Sequence, residues 1–142
     1  MKSQLVRQVL LLEDEEGDAH LLKVAFSKAG FAIEIEHVKN GLEALQVLNS
    51  DKVKPSLILL DLKMPGMDGL EFLSVLKNDE RLRAIPAVVI STSVTDFDIN
   101  NAYRHGAAGY VFKTPDVNDF ILAISRLGEY WFKLVRLPES HL

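Results

Sequence analysis

Residues 57–69 read LILLDLKMPGMDG: four apolar residues, an acid and a segment rich in turn formers. Strands of a parallel sheet with helices on both faces read as short continuous runs of Val, Ile and Leu, because both of their faces are buried. Residues 57–60 fit this pattern, which places Asp61 at the end of a buried strand. The alternative for Asp61 is a turn starter before residues 64–66. On this residue alone the two interpretations are comparable.

Four further segments are predicted as strands, and amphipathic segments separate them. The strands cover residues 9–12, 33–38, 87–90 and 110–112. Residues 33–38 alternate apolar and acidic side chains, as an edge strand would. Apolar spacing predicts helices over residues 20–29, 41–48 and 69–76, and two more that open near Thr95 and Asp116.

This alternation of strands and helices predicts an α/β fold with a doubly wound parallel sheet. Right-handed crossovers leave few topologies, and five strands favour the flavodoxin-like order 2-1-3-4-5. A chain of 142 residues corresponds to one domain. We predict that this domain covers residues 1–142, with a helical tail from residue 127 onward.

Composition argues against several classes of function. The chain carries 16 basic and 20 acidic residues, a net charge of −4, which suits neither nucleic acid nor an anionic membrane surface. Because it has no cysteine, disulfides, thiolate chemistry and cysteine-ligated zinc are excluded. The N-terminal residues lack the pattern of a signal peptide, and no apolar run is long enough to span a bilayer. We therefore expect a cytoplasmic protein.

Acidic residues follow two strands that are neighbours in the predicted sheet. Glu13 and Asp14 come after the first strand and Asp61 after the third, and ligands of such sheets bind beyond the carboxyl ends of the strands. Converging carboxylates raise one another's pKa values unless a cation lies between them, and Mg²⁺ suits such oxygen ligands. The alternative for the first two acids is a solvated loop that favours the start of the first helix.

The other two strand ends carry a hydroxyl and a cation. Ser91 follows the fourth strand and could contact a phosphoryl oxygen, whereas Thr92 and Ser93 are better explained as helix-capping residues. Lys113 follows the fifth strand, where it could balance the carboxylates or bind a phosphate. A lone lysine there is usually a surface charge. Polar groups on all of these strand ends are much less expected by accident than any one of them.

With these residues in place, the sequence resembles the receiver domain of two-component response regulators over about residues 7–127. The resemblance rests on residues 11–15 (LLEDE), 59–69 (LLDLKMPGMDG), 86–91 (PAVVIS) and 106–113 (GAAGYVFK). It implies that Asp61 accepts a phosphoryl group from a sensor histidine kinase. It also implies that Glu13, Asp14, Asp61 and the backbone carbonyl of Lys63 hold Mg²⁺.

The resemblance further implies a switch. Lys113 would pair with the phosphoryl group, Ser91 would move to hydrogen-bond it, and Tyr110 would change rotamer. These changes would alter the surface formed by the fourth helix, the fifth strand and the fifth helix. The alternative for Tyr110 is an ordinary surface aromatic residue.

Two positions depart from the family pattern. Thr114 stands between Lys113 and Pro115, where the family usually has proline directly after the lysine, so the conformation of this loop is left open. The first acid is Glu13 rather than the commoner Asp, and its longer side chain could reach the metal only through a water molecule.

Apolar residues continue past the expected end of the fifth helix and predict an interface. The predicted interface residues are Phe120, Ile124, Leu127, Trp131, Phe132 and Leu134. Exposed apolar patches of this kind usually mark interfaces; the alternative is that Gly128 breaks the helix and the tail folds back.

This tail, together with residues 17–19, resembles the small single-domain regulators of bacterial and cyanobacterial phytochrome kinases. That subgroup implies a phytochrome-type kinase as partner and a homodimer through the fifth strand and helix.

Three other functions compete with this interpretation. A phosphohydrolase with an Asp nucleophile needs a second Asp two residues later, where this chain has Lys63. A flavin- or nucleotide-binding domain needs a Gly-rich loop after the first strand, where this chain has acids. A pseudo-receiver that binds proteins without taking phosphate stays open because of Thr114. We therefore expect a signalling domain and not an enzyme.

Overall fold

The sheet contains five parallel strands. They are β1 (Arg7–Leu12), β2 (Ile33–Val38), β3 (Leu57–Leu60), β4 (Ala87–Ser91) and β5 (Gly109–Phe112). Their order across the sheet is β2-β1-β3-β4-β5, which confirms the predicted topology. The structure is a computed structural model that describes residues 7–52 and 54–138.

In the part of the chain that the structure describes, five α-helices connect and flank the strands. They are α1 (Glu16–Lys28), α2 (Gly41–Leu48), α3 (Gly69–Lys77), α4 (Asp96–Arg104) and α5 (Val117–Gly128). Within residues 7–52 and 54–138, no helix combines the length and the apolar character needed to cross a membrane.

The predicted start of the first helix is wrong by one turn. The sequence pattern predicts a start at His20, whereas α1 begins at Glu16. Apolar spacing does not extend into this turn, which contains Glu16 and Asp18 instead. Acidic side chains are favourable there because the first turn of a helix carries a partial positive charge. As a result, Asp18 lies on a helix beside the strand ends.

Two apolar clusters fill the space on the two sides of the sheet. Alternate residues of β1 and β3 point into each cluster, so these central strands are buried on both faces. One cluster lies under α2 and α3, and the other under α1 and α5. The fifth strand does not fit the prediction of full burial. Because β5 is at the edge of the sheet, its residues are only partly covered, and Phe112 is 40% exposed.

The segment after β3 is held tightly against the start of α3. A Cβ atom on Gly69 would lie 2.5 Å from the carbonyl oxygen of Asp61 and 2.8 Å from the Cα atom of Leu62. The amide of Gly69 also donates a hydrogen bond to the carbonyl of Leu62, at 2.9 Å. Glycine therefore allows α3 to start directly against the backbone that carries Asp61.

The tail follows neither of the two alternatives in full. Gly128 does not break the helix, which continues as a π-helical segment over Glu129–Leu134. Phe132 packs on Phe26 and Phe31, with ring centroids 6.1 and 5.8 Å apart. The segment therefore packs on the chain itself through one side only, and Leu134 is 74% exposed.

Three of the predicted interface residues are core residues. Phe120, Ile124 and Leu127 are buried among the side chains of α1 and the sheet. They cannot form an exposed interface because α5 uses this face to cover the sheet. Trp131 and Phe132 are partly buried against the same cluster, which leaves Leu134 as the most exposed predicted interface residue.

Candidate functional site

The carboxyl ends of the strands bring the predicted acids together. Leu12 pairs with Leu60 in the register of β1 and β3, so the residues that follow them lie side by side. Carboxylate oxygens of Glu13, Asp14 and Asp61 all lie within 4.8 Å of one another. This group of oxygen donors is small enough to surround a single ion, and such a donor set is the one that Mg²⁺ prefers.

Lys113 lies at the centre of this edge. Its Nζ atom donates hydrogen bonds to Glu13 Oε1 at 2.8 Å, Asp18 Oδ2 at 3.0 Å and Asp61 Oδ2 at 3.1 Å. The lysine side chain is only 11% exposed, so these ion pairs are only weakly screened by water. The lysine is therefore part of the carboxylate cluster and not a surface charge.

Burial and neighbouring charges have opposite effects on the pKa values of Glu13 and Lys113. Burial raises the pKa of Glu13, while the hydrogen bond and charge of Lys113 act to lower it. Burial alone would lower the pKa of Lys113, but the hydrogen bonds and charges of Glu13, Asp61 and Asp18 outweigh it and raise the pKa above its usual range. Lys113 thus keeps its positive charge at neutral pH.

Asp61 is fixed by contacts on both of its oxygens. Oδ1 accepts a hydrogen bond from the amide of Leu62 at 2.7 Å and a longer one from the amide of Lys63 at 3.4 Å. Oδ2 faces Lys113, and the side chain remains 15% exposed. The carboxylate is therefore held in one orientation and still reaches the surface. These amide bonds fix the start of the segment after β3, so the carboxylate also holds the loop that the turn-starter alternative concerned.

The first acid is held from several directions. Glu13 Oε2 accepts a hydrogen bond from the amide of Glu15 at 3.1 Å, and a ring nitrogen of His37 lies 2.6 Å from the Glu13 carbonyl oxygen. The side chain of Glu13 is 6% exposed. Burial and these contacts keep the Glu13 carboxylate directed at Lys113 and close to the carboxylates of Asp14 and Asp61.

Ser91 and Tyr110 both bond to the loop between β4 and α4. The amide of Ser93 donates to Ser91 Oγ at 3.1 Å, and the Tyr110 hydroxyl donates to the Ser93 carbonyl at 2.8 Å. Ser91 is buried and Tyr110 partly buried. The surface-aromatic alternative therefore does not describe Tyr110, while its change of rotamer stays a prediction.

The fourth helix opens at Thr95 as predicted, and its N-cap is neither Thr92 nor Ser93. Thr95 is the residue that caps α4, since its Oγ1 accepts from the amide of Asp98 at 3.2 Å. Ser93 contributes from one step away, because its hydroxyl donates to Asp98 Oδ2 at 2.5 Å. The start of α4 is thus tied to the same loop that holds Ser91 and Tyr110.

The unusual Lys113–Thr114–Pro115 segment still delivers the lysine to the site. Both of its peptide bonds are trans. The amide of Lys113 donates to the carbonyl of Ser91 at 2.7 Å, which extends the pairing of β4 and β5 to this point. Backbone pairing thus positions Lys113 before the loop departs from the family pattern.

Asp18 is the site residue that the sequence interpretation missed. Its side chain reaches Lys113 from the first turn of α1, which was predicted to start later. Recognition of an acidic first turn directly after Glu13 and Asp14 would have placed a fourth acid at this edge.

The fold and this arrangement of acids, hydroxyl and lysine define a receiver domain. The family model of the response regulator receiver domain matches residues 9–125. The chain therefore belongs to the response regulator receiver domain family.

The proteins similar to this chain include a probable regulatory protein. The chain is 38% identical over 134 residues to the probable methanogenesis regulatory protein FilR2 of Methanothrix harundinacea, covering 92% of this chain and 86% of that one.

Two solved structures are similar to nearly the whole chain, and one of them is a phytochrome response regulator. The phosphorylated cyanobacterial phytochrome response regulator RcpA matches with a TM-score of 0.90 at 31% identity, over 95% of this chain and 100% of that one. The Mn²⁺-bound form of response regulator Rcp1 matches with a TM-score of 0.87 at 29% identity, over 94% and 99% of the two chains. The predicted resemblance to regulators of the phytochrome group is confirmed.

Replacement of Lys113 by methionine should destabilise the protein at neutral pH. The variant leaves the buried Glu13 carboxylate without its cation, so we expect a loss of about 2–4 kcal/mol in the free energy of unfolding. The pKa of Glu13 should rise further, which makes the folded state bind a proton more readily than the unfolded state. The loss should therefore be largest near neutral pH and shrink as the pH falls below the raised pKa. Urea unfolding at several pH values measures it.

Lys39→Met is the matched control, because Lys39 pairs with Glu16 in an exposed ion pair. It should change stability little at any pH. Equal unfolding curves for the two variants would contradict the central role given to Lys113.

Proposed function

We propose that this chain is a response regulator that accepts a phosphoryl group on Asp61 from a sensor histidine kinase. The observation that carries the proposal is the position of Asp61, which both contacts Lys113 and belongs to the cluster of three acids. A carboxylate oxygen of Asp61 would bond to the phosphorus of a phosphohistidine. The P–N bond would break, and the imidazole nitrogen would keep the electron pair and leave.

Glu13, Asp14 and Asp61 are the residues that would hold Mg²⁺, together with the backbone carbonyl of Lys63. The ion would offset negative charge on the phosphoryl oxygens during transfer. The Mn²⁺-bound structure of the related Rcp1 supports a divalent cation at this kind of site.

Lys113 and Ser91 are proposed to contact the phosphoryl group and so to respond to phosphorylation. Ser91 Oγ accepts from the Ser93 amide in this structure, and the side chain would move so that its hydroxyl donates to a phosphoryl oxygen. This movement would loosen the loop before α4. Tyr110 bonds to the same loop through the Ser93 carbonyl and would move with it. The surface formed by α4, β5 and α5 would then change. Its exposed apolar residues Phe97 and Phe112 support a role in protein contact.

The similarity to a phytochrome response regulator supports a phytochrome-type kinase as the partner. We further propose that the protein acts in the cytoplasm. We propose a single receiver domain over residues 1–142 that signals through protein contacts, without nucleic acid, membrane or an enzymatic activity of its own. A homodimer through β5, α5 and the π-helical segment is part of this proposal. Its apolar contacts would come from exposed residues such as Leu134, since the buried face of α5 is not available.

Phosphorylation of Asp61 can be tested with a small donor. Incubation with acetyl phosphate and Mg²⁺ should add one phosphoryl group, detected by intact mass. Asp61→Asn should abolish the added mass, because the amide oxygen is a poor nucleophile, and a chelator should abolish it in the wild-type protein.

The exposed Asp51 gives a matched control, and Asp51→Asn should be labelled like the wild type. Labelling that persists in Asp61→Asn would contradict the proposal. A folded wild-type protein that takes no phosphate would favour the pseudo-receiver alternative and sink the proposal as well.

Asp14→Asn should weaken the binding of divalent cations. Loss of one carboxylate ligand should lower Mg²⁺ or Mn²⁺ affinity by about tenfold or more, as measured by titration calorimetry. Affinity should also fall as the pH is lowered, because the raised pKa of Glu13 makes this carboxylate easy to protonate.

The neighbouring Glu15 is exposed and lies outside the cluster of three acids, so Glu15→Gln should leave affinity nearly unchanged. If both variants bind the metal like the wild type, the assignment of Asp14 as a ligand is wrong.

The proposed homodimer can be tested by sedimentation velocity. Leu134→Glu places a charge on the exposed side of the tail and should shift the protein from dimer to monomer. Leu42→Glu makes the same change on an exposed residue of α2 and should leave the dimer intact. A monomeric wild type, or two variants that sediment alike, would rule out the dimer.

A further inference from the structure

The contacts of Lys113 are shared among carboxylates of unequal burial. An ammonium group has three N–H donors, and all of them are used by Glu13, Asp18 and Asp61. Two of these acids already have proposed roles, as metal ligand and as phosphoryl acceptor. Asp18 has neither role and does not belong to the cluster of three acids.

Asp18 is by far the most exposed partner. Its side chain is 44% exposed, against 6% for Glu13 and 15% for Asp61. A cavity of about 270 Å³ opens on this side of Lys113, lined by Asp18, Lys113, Pro115 and neighbouring residues. Water can therefore reach the Asp18 carboxylate without any change in the fold.

We propose that Asp18 is a positioning residue that holds Lys113 in the resting protein, restrains the phosphorylation of Asp61 and is released when phosphorylation occurs. The inference rests on the proposed phosphorylation of Asp61 and adds a regulator of that reaction.

The need for release follows from the movement of charge. In an acyl phosphate, the negative charge that faces Lys113 moves from the Asp61 carboxylate to the terminal phosphoryl oxygens. The Nζ atom has to move to follow this charge. The Glu13 side chain is 6% exposed and water cannot readily replace its hydrogen bond with Lys113, so this contact is costly to lose even beside a bound metal ion, whereas the Asp18 carboxylate would return to water at little cost.

The position of Asp18 on α1 keeps this cost low. Asp18 lies in the first turn of α1, where a negative charge is stabilised by the helix itself. Release from Lys113 therefore does not leave the carboxylate unsupported. The ion pair between Asp18 and Lys113 stabilises only the unphosphorylated state. In addition, the negative charge of Asp18 repels an incoming phosphoryl group. Both effects slow phosphorylation.

Removal of this charge should therefore accelerate the reaction. At saturating Mg²⁺, Asp18→Asn should take phosphate from acetyl phosphate about two- to fivefold faster than the wild type, the factor expected from the loss of one partly exposed ion pair. Saturating metal is needed because a lost negative charge also weakens cation binding. Asp18→Glu restores the charge and should return the rate towards that of the wild type.

Glu16→Gln is the matched control, because it removes a charge from the same helical turn without touching Lys113. Its rate should match the wild type. A rate for Asp18→Asn that equals or falls below that of Glu16→Gln would overturn the proposal. Absence of phosphate on the wild type and both variants would instead overturn the proposed function, and this inference with it.

A crystal structure with Mg²⁺ and beryllofluoride, a mimic of the phosphoryl group, gives a readout independent of rate. Lys113 Nζ should lie within hydrogen-bonding distance of a fluorine and of Glu13, and beyond that distance from Asp18. An intact contact with Asp18, or the loss of Glu13 in its place, would contradict the release of Asp18.

Discussion

The site depends on one ion-pair network, in which the ammonium group of Lys113 lies among the carboxylates of Glu13, Asp18 and Asp61. Without a cation, acids at this spacing would repel one another and take up protons. The hydrogen bond and charge of Lys113 counteract the effect of burial on the pKa of Glu13 at the edge of an apolar core. The same contacts keep Asp61 oriented with part of its side chain at the surface, as the proposed phosphorylation requires.

The parallel sheet is what makes this network possible. The buried runs of β1 and β3 set a fixed register, and that register delivers Glu13 and Asp61 to the same edge. Lys113 arrives by the same means, since its amide continues the pairing of β5 with β4. Gly69 then allows α3 to close directly over the backbone of Asp61. Apolar packing therefore determines where the charges meet, and the charges in turn limit which residues can follow each strand.

Most of the fold and much of the site could be predicted from the sequence because their signals are local. Continuous apolar runs identify the central strands. The residue that directly follows such a run is then expected at the carboxyl edge of the sheet. The start of α1 could not be predicted in this way, because its first turn is polar and lacks apolar spacing. Asp18 was missed for that reason. The partial exposure of β5 and the burial of Phe120, Ile124 and Leu127 depend on which elements become neighbours, and spacing within one segment does not contain that information.

The contacts around Ser93 connect the site to the start of α4. Ser91 accepts from the Ser93 amide, Tyr110 donates to the Ser93 carbonyl, and the Ser93 hydroxyl bonds to Asp98 in the first turn of α4. One loop residue therefore joins the strand end, the aromatic switch candidate and the start of the helix. If Ser91 moved away from the Ser93 amide, the loop would lose one of its hydrogen bonds. Thr95 would still cap α4. The expected response is a shift of the loop and of the start of α4 rather than the unfolding of the helix, because the bond between the Asp98 amide and Thr95 Oγ1 involves neither Ser91 nor Tyr110.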